Sequence, residues 1–346
     1  MSTTDVQTAE PPAPARVSDD PRPIARDITE LIGETPLLEL HRLAEQHGAG
    51  ARLLAKVEFF NPLSSVKDRI SWAIIRDAER RGLLYPGRSI VDVTSGNTGI
   101  ALAAIAASRG YPAKFYLGDN TSPDKRRIIE ALGAEVVSVP NSIFIDPEGL
   151  ETLIAEIEAD NPDAYFTNQL GNPVNPQEHY ETTGPEIWRD AEGRVDVFIA
   201  GVGTGGTVSG AGRYLKEQNP AVRIVVAEPG DASLPSEENV YPAEIDGVHK
   251  VEGLDDEQLP PNYDRGIADE IYQVDAEEAY RTARAALLAE GLFVGASAGA
   301  TLTVALRLAA LPEHAGKTIV AVVPDTGERY LSAGVFDSRP TADPQG

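Results

Sequence analysis

Three glycine- and serine-rich stretches and one lysine carry the residue types in this chain most able to do chemistry. Gly201-Val-Gly-Thr-Gly-Gly206 follows an apolar strand pattern, Val195–Ala200, and precedes a helical one. It satisfies G-x-G-x-x-G, and Glu228 closes the next strand pattern about where a ribose-binding acid would stand. The stretch lies past the middle of the chain and continues into Thr207, so the hydroxyls of Thr204 and Thr207 join the backbone N–H groups. That mixture suits the oxygens of one terminal phosphomonoester at a helix N-terminus. A purely structural glycine turn is the alternative.

Gly295-Ala-Ser297-Ala-Gly299 matches the G-x-S-x-G nucleophile elbow, which needs an acid and then a His downstream. The only His after Ser297 is His314, and the only acid between them is its neighbour Glu313, badly placed to orient the ring. A serine hydrolase is therefore disfavoured, and Ser297 is expected to N-cap the following helix with a hydroxyl still able to reach a ligand. Ser64-Ser65-Val66-Lys67 contains S-x-x-K, but the partner motifs S-D-N and K-T-G of that chemistry are absent. Lys67 itself is one of seven lysines beside 23 arginines, at the point where a helical pattern begins. A helix N-terminus disfavours a cation, so the amine is expected to be pulled toward the free base that condenses with aldehydes. Read alone, it is also an ordinary first-turn lysine. Thr94-Ser-Gly-Asn-Thr98 follows another strand pattern and opens another helix, a second anion cradle. A Schiff-base lysine, a phosphomonoester loop and a small-anion loop, each on a βα turn, are together the parts for pyridoxal phosphate and an amino-acid carboxylate.

The elements that must position these turns form a simple alternation. Strand patterns fall at Arg52–Val57, Ser89–Val93, Ala113–Leu117, Glu135–Val139, Val195–Ala200, Arg223–Ala227, Glu270–Val274 and Thr318–Val323. Helical patterns fall at Val66–Arg81, Thr98–Arg109, Pro123–Leu132, Pro147–Ala159, Thr207–Glu217, Ala276–Glu290 and Ala298–Leu311. Such alternation predicts parallel sheets covered by helices. At 346 residues the chain is long enough for about two domains. The turn-rich Asn168–Pro176 is the natural crossover between two α/β layers with a cleft between them.

Composition removes other classes. With no cysteine, disulfides, thiolate metal sites and a Cys nucleophile are excluded, and no metal site is expected. Fifty-four acidic against 30 basic residues leave a net charge of −24, which repels nucleic acid and anionic membranes. Residues 231–270 alone carry twelve acids with Lys250 and Arg265 as the only bases, and read as a solvated loop excursion. Residues 1–26, with five prolines and no apolar run, read as a disordered tail without a secretory signal. The longest apolar stretch, Ile100–Ala107, falls far short of the about 20 residues that span a bilayer, so a cytoplasmic location is expected.

From Ile28 to about Phe336 the sequence resembles the cysteine synthase (O-acetylserine sulfhydrylase) and cystathionine β-synthase family of fold-type II pyridoxal-phosphate enzymes. The resemblance rests on ITELIGETPLLEL, NPLSSVKDR, TSGNTGIALA, NQLGNPVNPQEHYETTGPEIW, VDVFIAGVGTGGTVSGAGRYLK, HKVEGL, GASAGA and GERYLS. It implies an α/β fold like that of the tryptophan synthase β chain: two open twisted sheets flanked by helices, with the active site in the interdomain cleft. The smaller domain would hold residues 61–172 and the larger, phosphate-binding one residues 27–60 and 173–336, leaving 337–346 as a tail. A homodimer is implied as well.

Carried over residue by residue, the resemblance makes Lys67 the Schiff-base lysine and the acid/base at Cα. Asn97 would bond the cofactor's 3′ oxygen. Gly203, Thr204, Gly205, Gly206 and Thr207 would hold its phosphate. Ser297 would face the pyridine nitrogen. Thr94, Ser95, Gly96, Thr98 and Gln169 would bind the substrate carboxylate, with Gly253 in the loop that closes over it. The implied reaction is β-replacement on O-acetylserine or a related β-substituted alanine. The substrate amine displaces Lys67, free Lys67 removes the Cα proton, the β-substituent leaves, and sulfide or another nucleophile adds at Cβ to give L-cysteine. The alternatives on the same fold are β-elimination of L-cysteine to sulfide, pyruvate and ammonia, cystathionine β-synthase-type replacement, and a non-catalytic binding homologue. An NAD enzyme resting on G-x-G-x-x-G would leave Lys67 and Thr94–Thr98 without a role. One departure stands out: where the family's synthases continue with Gly-Ile-Gly, this chain has Gly253-Leu-Asp255-Asp-Glu257. Three acids at the entrance would disfavour a dianionic substrate such as O-phosphoserine and repel hydrosulfide.

Overall fold

A computed structural model describes residues 24–144, 147–234 and 243–337. Most of the two expected tails lies outside these residues, as does part of the acidic stretch. Ten strands and ten α-helices are described: β1 (Leu37–Glu39), α1 (His41–Gln46), β2 (Arg52–Val57), α2 (Lys67–Arg80), β3 (Ile90–Thr94), α3 (Asn97–Arg109), β4 (Ala113–Gly118), α4 (Pro123–Ala131), β5 (Glu135–Val139), α5 (Pro147–Asp160), β6 (Tyr165–Phe166), α6 (Val174–Glu178), α7 (Gly184–Asp190), β7 (Val197–Gly201), α8 (Gly206–Gln218), β8 (Arg223–Pro229), β9 (Glu270–Val274), α9 (Ala276–Glu290), α10 (Ala296–Ala309) and β10 (Thr318–Val323).

They build two sheets. The larger has the order β1-β2-β10-β7-β8-β9, and the smaller β5-β4-β3-β6. All neighbours are parallel except β1, which runs antiparallel to β2 through Leu37↔Lys56. Strands covered on both faces read as continuous apolar runs, and β10 (TIVAVV) is buried at every position. The fold is thus the two-sheet α/β class expected, with helices flanking both sheets.

Local chemistry explains the element ends. Ser122 caps α4 by accepting from Asp124 N (3.2 Å), with Pro123 at the first helical position. Gly291 ends α9 in the left-handed conformation at φ 70°. Along α9 the buried residues are Ala276, Ala279, Ala283, Ala286 and Ala289, and this small-residue stripe lets α10 approach closely. A Cβ on Gly299 would come within 2.1 Å of the Ala279 carbonyl.

Two regions depart from expectation. Residues 174–190 form one helical run in which a π turn, His179–Thr183, joins α6 to α7. The acidic stretch is not simply a solvated excursion. Ile245, Val248, Val251, Leu259, Tyr263 and Ile267 are buried, so its second half packs onto the larger sheet's cores, with Glu252, Asp255, Asp256, Glu257 and Asp264 exposed and Asp246 turned inward to Lys125.

Candidate functional site

The carboxyl ends of β3, β7 and β10 point toward one cleft, the usual position for ligands in open α/β sheets. Lys67, Ser95, Asn97, Gly203, Gly205, Thr207 and Ser297 all line it, together with Asp246, Gly247, Val248 and Pro324. Six separate segments of the chain supply these groups.

Lys67 is the first residue of α2, and the start of that helix is pinned from two sides. Val66 N donates to Pro324 O (2.8 Å), and Ser65 forms an antiparallel bridge with Asp325 at the end of β10. Two residues along, the buried Arg69 donates through Nε to Glu58 Oε2 (2.7 Å) and through Nη2 to Glu186 Oε2 (2.6 Å), and Lys56 Nζ also reaches Glu186 Oε2 (2.7 Å). Two cations and two anions thus balance in a region that excludes water, and removing any one leaves a buried charge uncompensated. Part of the Lys67 side chain reaches the cleft, but the protein packed around its amine desolvates it and lowers its pKa to about 8. The Asp325 carboxylate opposes that shift. The lowered value agrees in direction with the helix-terminus expectation, but burial is its main cause.

The glycine loop after β7 is shaped by contacts that forbid side chains. A Cβ on Gly203 would meet Gly247 O at 2.6 Å, and one on Gly206 would meet Asn175 Oδ1 at 1.8 Å. Gly205 has φ 84°, and a Cβ there would come within 2.6 Å of the Tyr263 backbone. The loop delivers the N-terminus of α8, whose first N–H groups have no intrahelical acceptors. Thr207 Oγ1 lies 3.2 Å from His179 Nε2, while His179 Nδ1 lies 2.8 Å from Thr183 Oγ1. Burial lowers the His179 pKa to about 3, so this ring is neutral and the helix end, not an imidazolium, faces an anion. A cradle of backbone donors and a threonine hydroxyl with no room for side chains fits a phosphate group. Next to it, Lys67 supplies an amine poised for an aldehyde: Nζ lies 3.8 Å from where a Gly203 Cβ would be. The residues present therefore fit pyridoxal phosphate.

Other expected site residues do not line the cleft. Thr204, in the same loop, is buried and accepts from Asn175 Nδ2 (2.9 Å). Thr94 Oγ1 accepts from Gly96 N (3.1 Å) and Gly99 N (3.3 Å), shaping the Thr94–Thr98 turn from inside. Thr98 Oγ1 donates to Gln169 Oε1, and Gln169 Nε2 donates to Val93 O (3.1 Å), so both lie behind the turn. Gly96 takes φ 128° with the buried Lys125 stem 2.6 Å from its Cβ position. Gly253, at φ 81°, lies outside the lining. Ser297 is the second residue of α10 and not its N-cap. That place belongs to Gly295, whose Cβ would meet Asp325 Oδ1 at 2.3 Å. Glu228 is spent on structure, accepting from Val251 N (2.8 Å) and Glu252 N (2.9 Å).

Sequence reasoning missed the side chains that hold these groups in place: Asn175, His179, Asp246, Asp325 and Arg329. Lys125 pairs with Asp246 at the cleft wall, and its ammonium lies 4.6 Å from the centre of the Tyr330 ring. Two marker stretches already singled out contained some of these side chains, NQLGNPVNPQEHYETTGPEIW holding Asn175 and His179 and GERYLS holding Arg329, without showing what they touch.

Comparison with known proteins agrees with this geometry. The pyridoxal-phosphate dependent enzyme family matches residues 28–325. Cysteine synthase A of Escherichia coli (strain K12) is 42% identical over 320 residues, covering 90% of this chain and 96% of that protein. O-Ureido-L-serine synthase of Streptomyces lavendulae is 41% identical over 318 residues, covering 91% and 94%. The crystal structure of a hydrogen sulfide-producing enzyme from Fusobacterium nucleatum superposes with a TM-score of 0.80 at 36% identity, covering 89% of this chain and all of that one.

Proposed function

Because this chain belongs to the pyridoxal-phosphate dependent enzymes, in their fold-type II group of cysteine synthases and cystathionine β-synthases, we propose that it makes L-cysteine by β-replacement on O-acetylserine or a related β-substituted alanine. The observation that carries this reading is the meeting of the Lys67 amine, its pKa lowered to about 8, with the glycine cradle of 203–207 in one cleft.

Pyridoxal phosphate, when bound, supplies an aldehyde that captures amines and an electron-withdrawing ring that acidifies Cα–H. The chain's residues do the rest. Gly203, Gly205 and Thr207 would hold the cofactor's phosphate at the N-terminus of α8. A lysine of pKa about 8 is part free base at neutral pH, so Lys67 takes the Cα proton and its ammonium returns it after the nucleophile has added. Ser95 faces the cleft where the substrate carboxylate would lie, while Thr94, Thr98 and Gln169 hold that turn rigid from behind. Residues 61–172, which include the smaller sheet, act in this reading as a domain that carries the substrate turn against the phosphate side.

β-Elimination of L-cysteine is the second reading, favoured by the similarity to a hydrogen sulfide-producing enzyme; exposed Asp255, Asp256 and Glu257, in the loop that the family resemblance closes over the substrate, would repel hydrosulfide. Two rates on one preparation rank them: cysteine formed from O-acetylserine and sulfide, and sulfide released from cysteine alone. The first exceeds the second if the protein is a synthase, and the reverse order establishes the lyase. A homodimer in the cytoplasm belongs to the same proposal, and sedimentation of the loaded protein tests the dimer. Among the described residues no helix is long and apolar enough to cross a membrane.

A further inference from the structure

Asn97 presents its carboxamide to the cleft beside Lys67, and both ends of that amide have charged partners. Arg329 Nη1 donates to Asn97 Oδ1 (2.7 Å), and Asn97 Nδ2 donates to Asp325 Oδ2 (2.7 Å). A guanidinium only donates and a carboxylate only accepts, so a flipped amide would set N–H against N–H and oxygen against oxygen. The orientation is therefore dictated by chemistry. One Nδ2 hydrogen is used by Asp325, and the other has no partner among the described residues.

The partners are themselves fixed. Asp325 is fully buried, and its Oδ2 also accepts from Tyr330 OH (2.5 Å). Arg329 is 3% exposed and also donates through Nη2 to Leu63 O. Asp325 Oδ1 is buried with no hydrogen-bond partner among the described residues, so the carboxylate's hold on Asn97 and Tyr330 runs through Oδ2 alone. The three residues come from the start of α3, the end of β10 and the turn Gly327–Tyr330, so the amide's direction is set relative to both sheets.

We propose that Asp325 and Arg329 are positioning residues that lock the Asn97 carboxamide, so that its second Nδ2 hydrogen points at an acceptor atom of bound pyridoxal phosphate. The proposal rests on the cofactor assignment above and adds to it two residues that reach the cofactor through Asn97, Asp325 acting in addition on the Lys67 amine by its charge.

A double-mutant cycle on cofactor affinity tests it. Apo-protein is titrated with pyridoxal phosphate, following protein fluorescence and the absorption band of the bound cofactor, for wild type, Asp325→Ala, Asn97→Ala and the double variant. The single variants each weaken binding about tenfold or more, the scale of a hydrogen bond involving a charged group. Adding Asp325→Ala to Asn97→Ala costs much less than Asp325→Ala costs in the wild type, because the orienting part of its effect is gone and only its charge beside Lys67 remains. Asp325→Asn keeps an acceptor for Asn97 and restores both affinity and band position, which a purely structural role would not do. Additive losses, or a band that Asp325→Ala leaves in place, overturn the proposal. If Asp325→Ala shows no cooperative melt, Arg329→Met supplies the same cycle from the other end of the amide. A wild type that binds no pyridoxal phosphate contradicts the cofactor assignment instead, so the two failures are distinct.

Discussion

Replacing Lys67 with Met should make the cofactor-free protein more stable at neutral pH. The amine's pKa falls from an ordinary 10.5 to about 8 on folding, because packing around it strips water from the charged form. At about 1.4 kcal/mol per unit, the buried ammonium costs on the order of 3 kcal/mol below pH 8. Met keeps the length and apolar stem without the charge, but it also deprives Asp325 of a cation, which takes back part of the gain. A net stabilisation of about 1–2 kcal/mol at pH 7 is expected. The sign with pH is definite. Between pH 8 and 10.5 the unfolded chain binds a proton that the folded chain has lost, so wild-type stability rises across that window. The Met variant lacks this rise. Urea unfolding of both apo-proteins at pH 7, 8, 9 and 10 reads the difference directly. Parallel profiles, or a Met variant less stable at pH 7, would refute the claim that burial governs this amine.

The other predictions concern the scaffold and the entrance. Burial pushes Asp92 up to about 7, so the folded state holds a proton there that the unfolded chain loses near pH 4. Wild-type stability should fall between about pH 4 and 7 relative to Asp92→Asn, as chemical denaturation would show, and identical profiles would contradict this. Glu186→Gln leaves Lys56 and Arg69 sharing only Glu58, and should cost about 3–5 kcal/mol in thermal or urea melts. Gly205→Ala forces a side chain into φ 84° against the Tyr263 backbone, and should reduce pyridoxal-phosphate affinity at least tenfold while far-UV circular dichroism is unchanged. Neutralising Asp255, Asp256 and Glu257 together should lower the apparent KM for sulfide a fewfold at low ionic strength, an effect that added salt removes.

How much of this was legible in the sequence follows from where each signal is written. Strands β2, β5, β9 and β10 begin and end as predicted, because apolar runs between turn formers mark both boundaries. Strands β1 and β6 have three and two residues and make no pattern of their own; β1 exists because it pairs with β2. Residues 174–190 hide their helix behind Pro176, Gly184 and Pro185, and tertiary packing holds it: a Cβ on Gly210 would come within 2.0 Å of Pro176 O, and Arg76 of α2 pairs with Glu178. At the site, Lys67 and the two βα turns were readable since glycines and hydroxyls cluster locally there. Asp325 and Arg329 were not, since their meaning comes from Asn97, more than 220 residues earlier. The helix-terminus argument for Lys67 gave the right direction from the wrong cause, because burial cannot be read from one residue's position in a helix.

The most direct test of the central claim is to load the protein with pyridoxal phosphate, reduce it with borohydride and map the modified peptide by mass spectrometry. With seven lysines in the chain the assignment is unambiguous. The account predicts the reduced cofactor on Lys67, and its loss from that peptide when O-acetylserine is added before reduction, since the substrate amine then takes the lysine's place. Attachment to any other lysine, or labelling of Lys67 that O-acetylserine leaves unchanged, would contradict it.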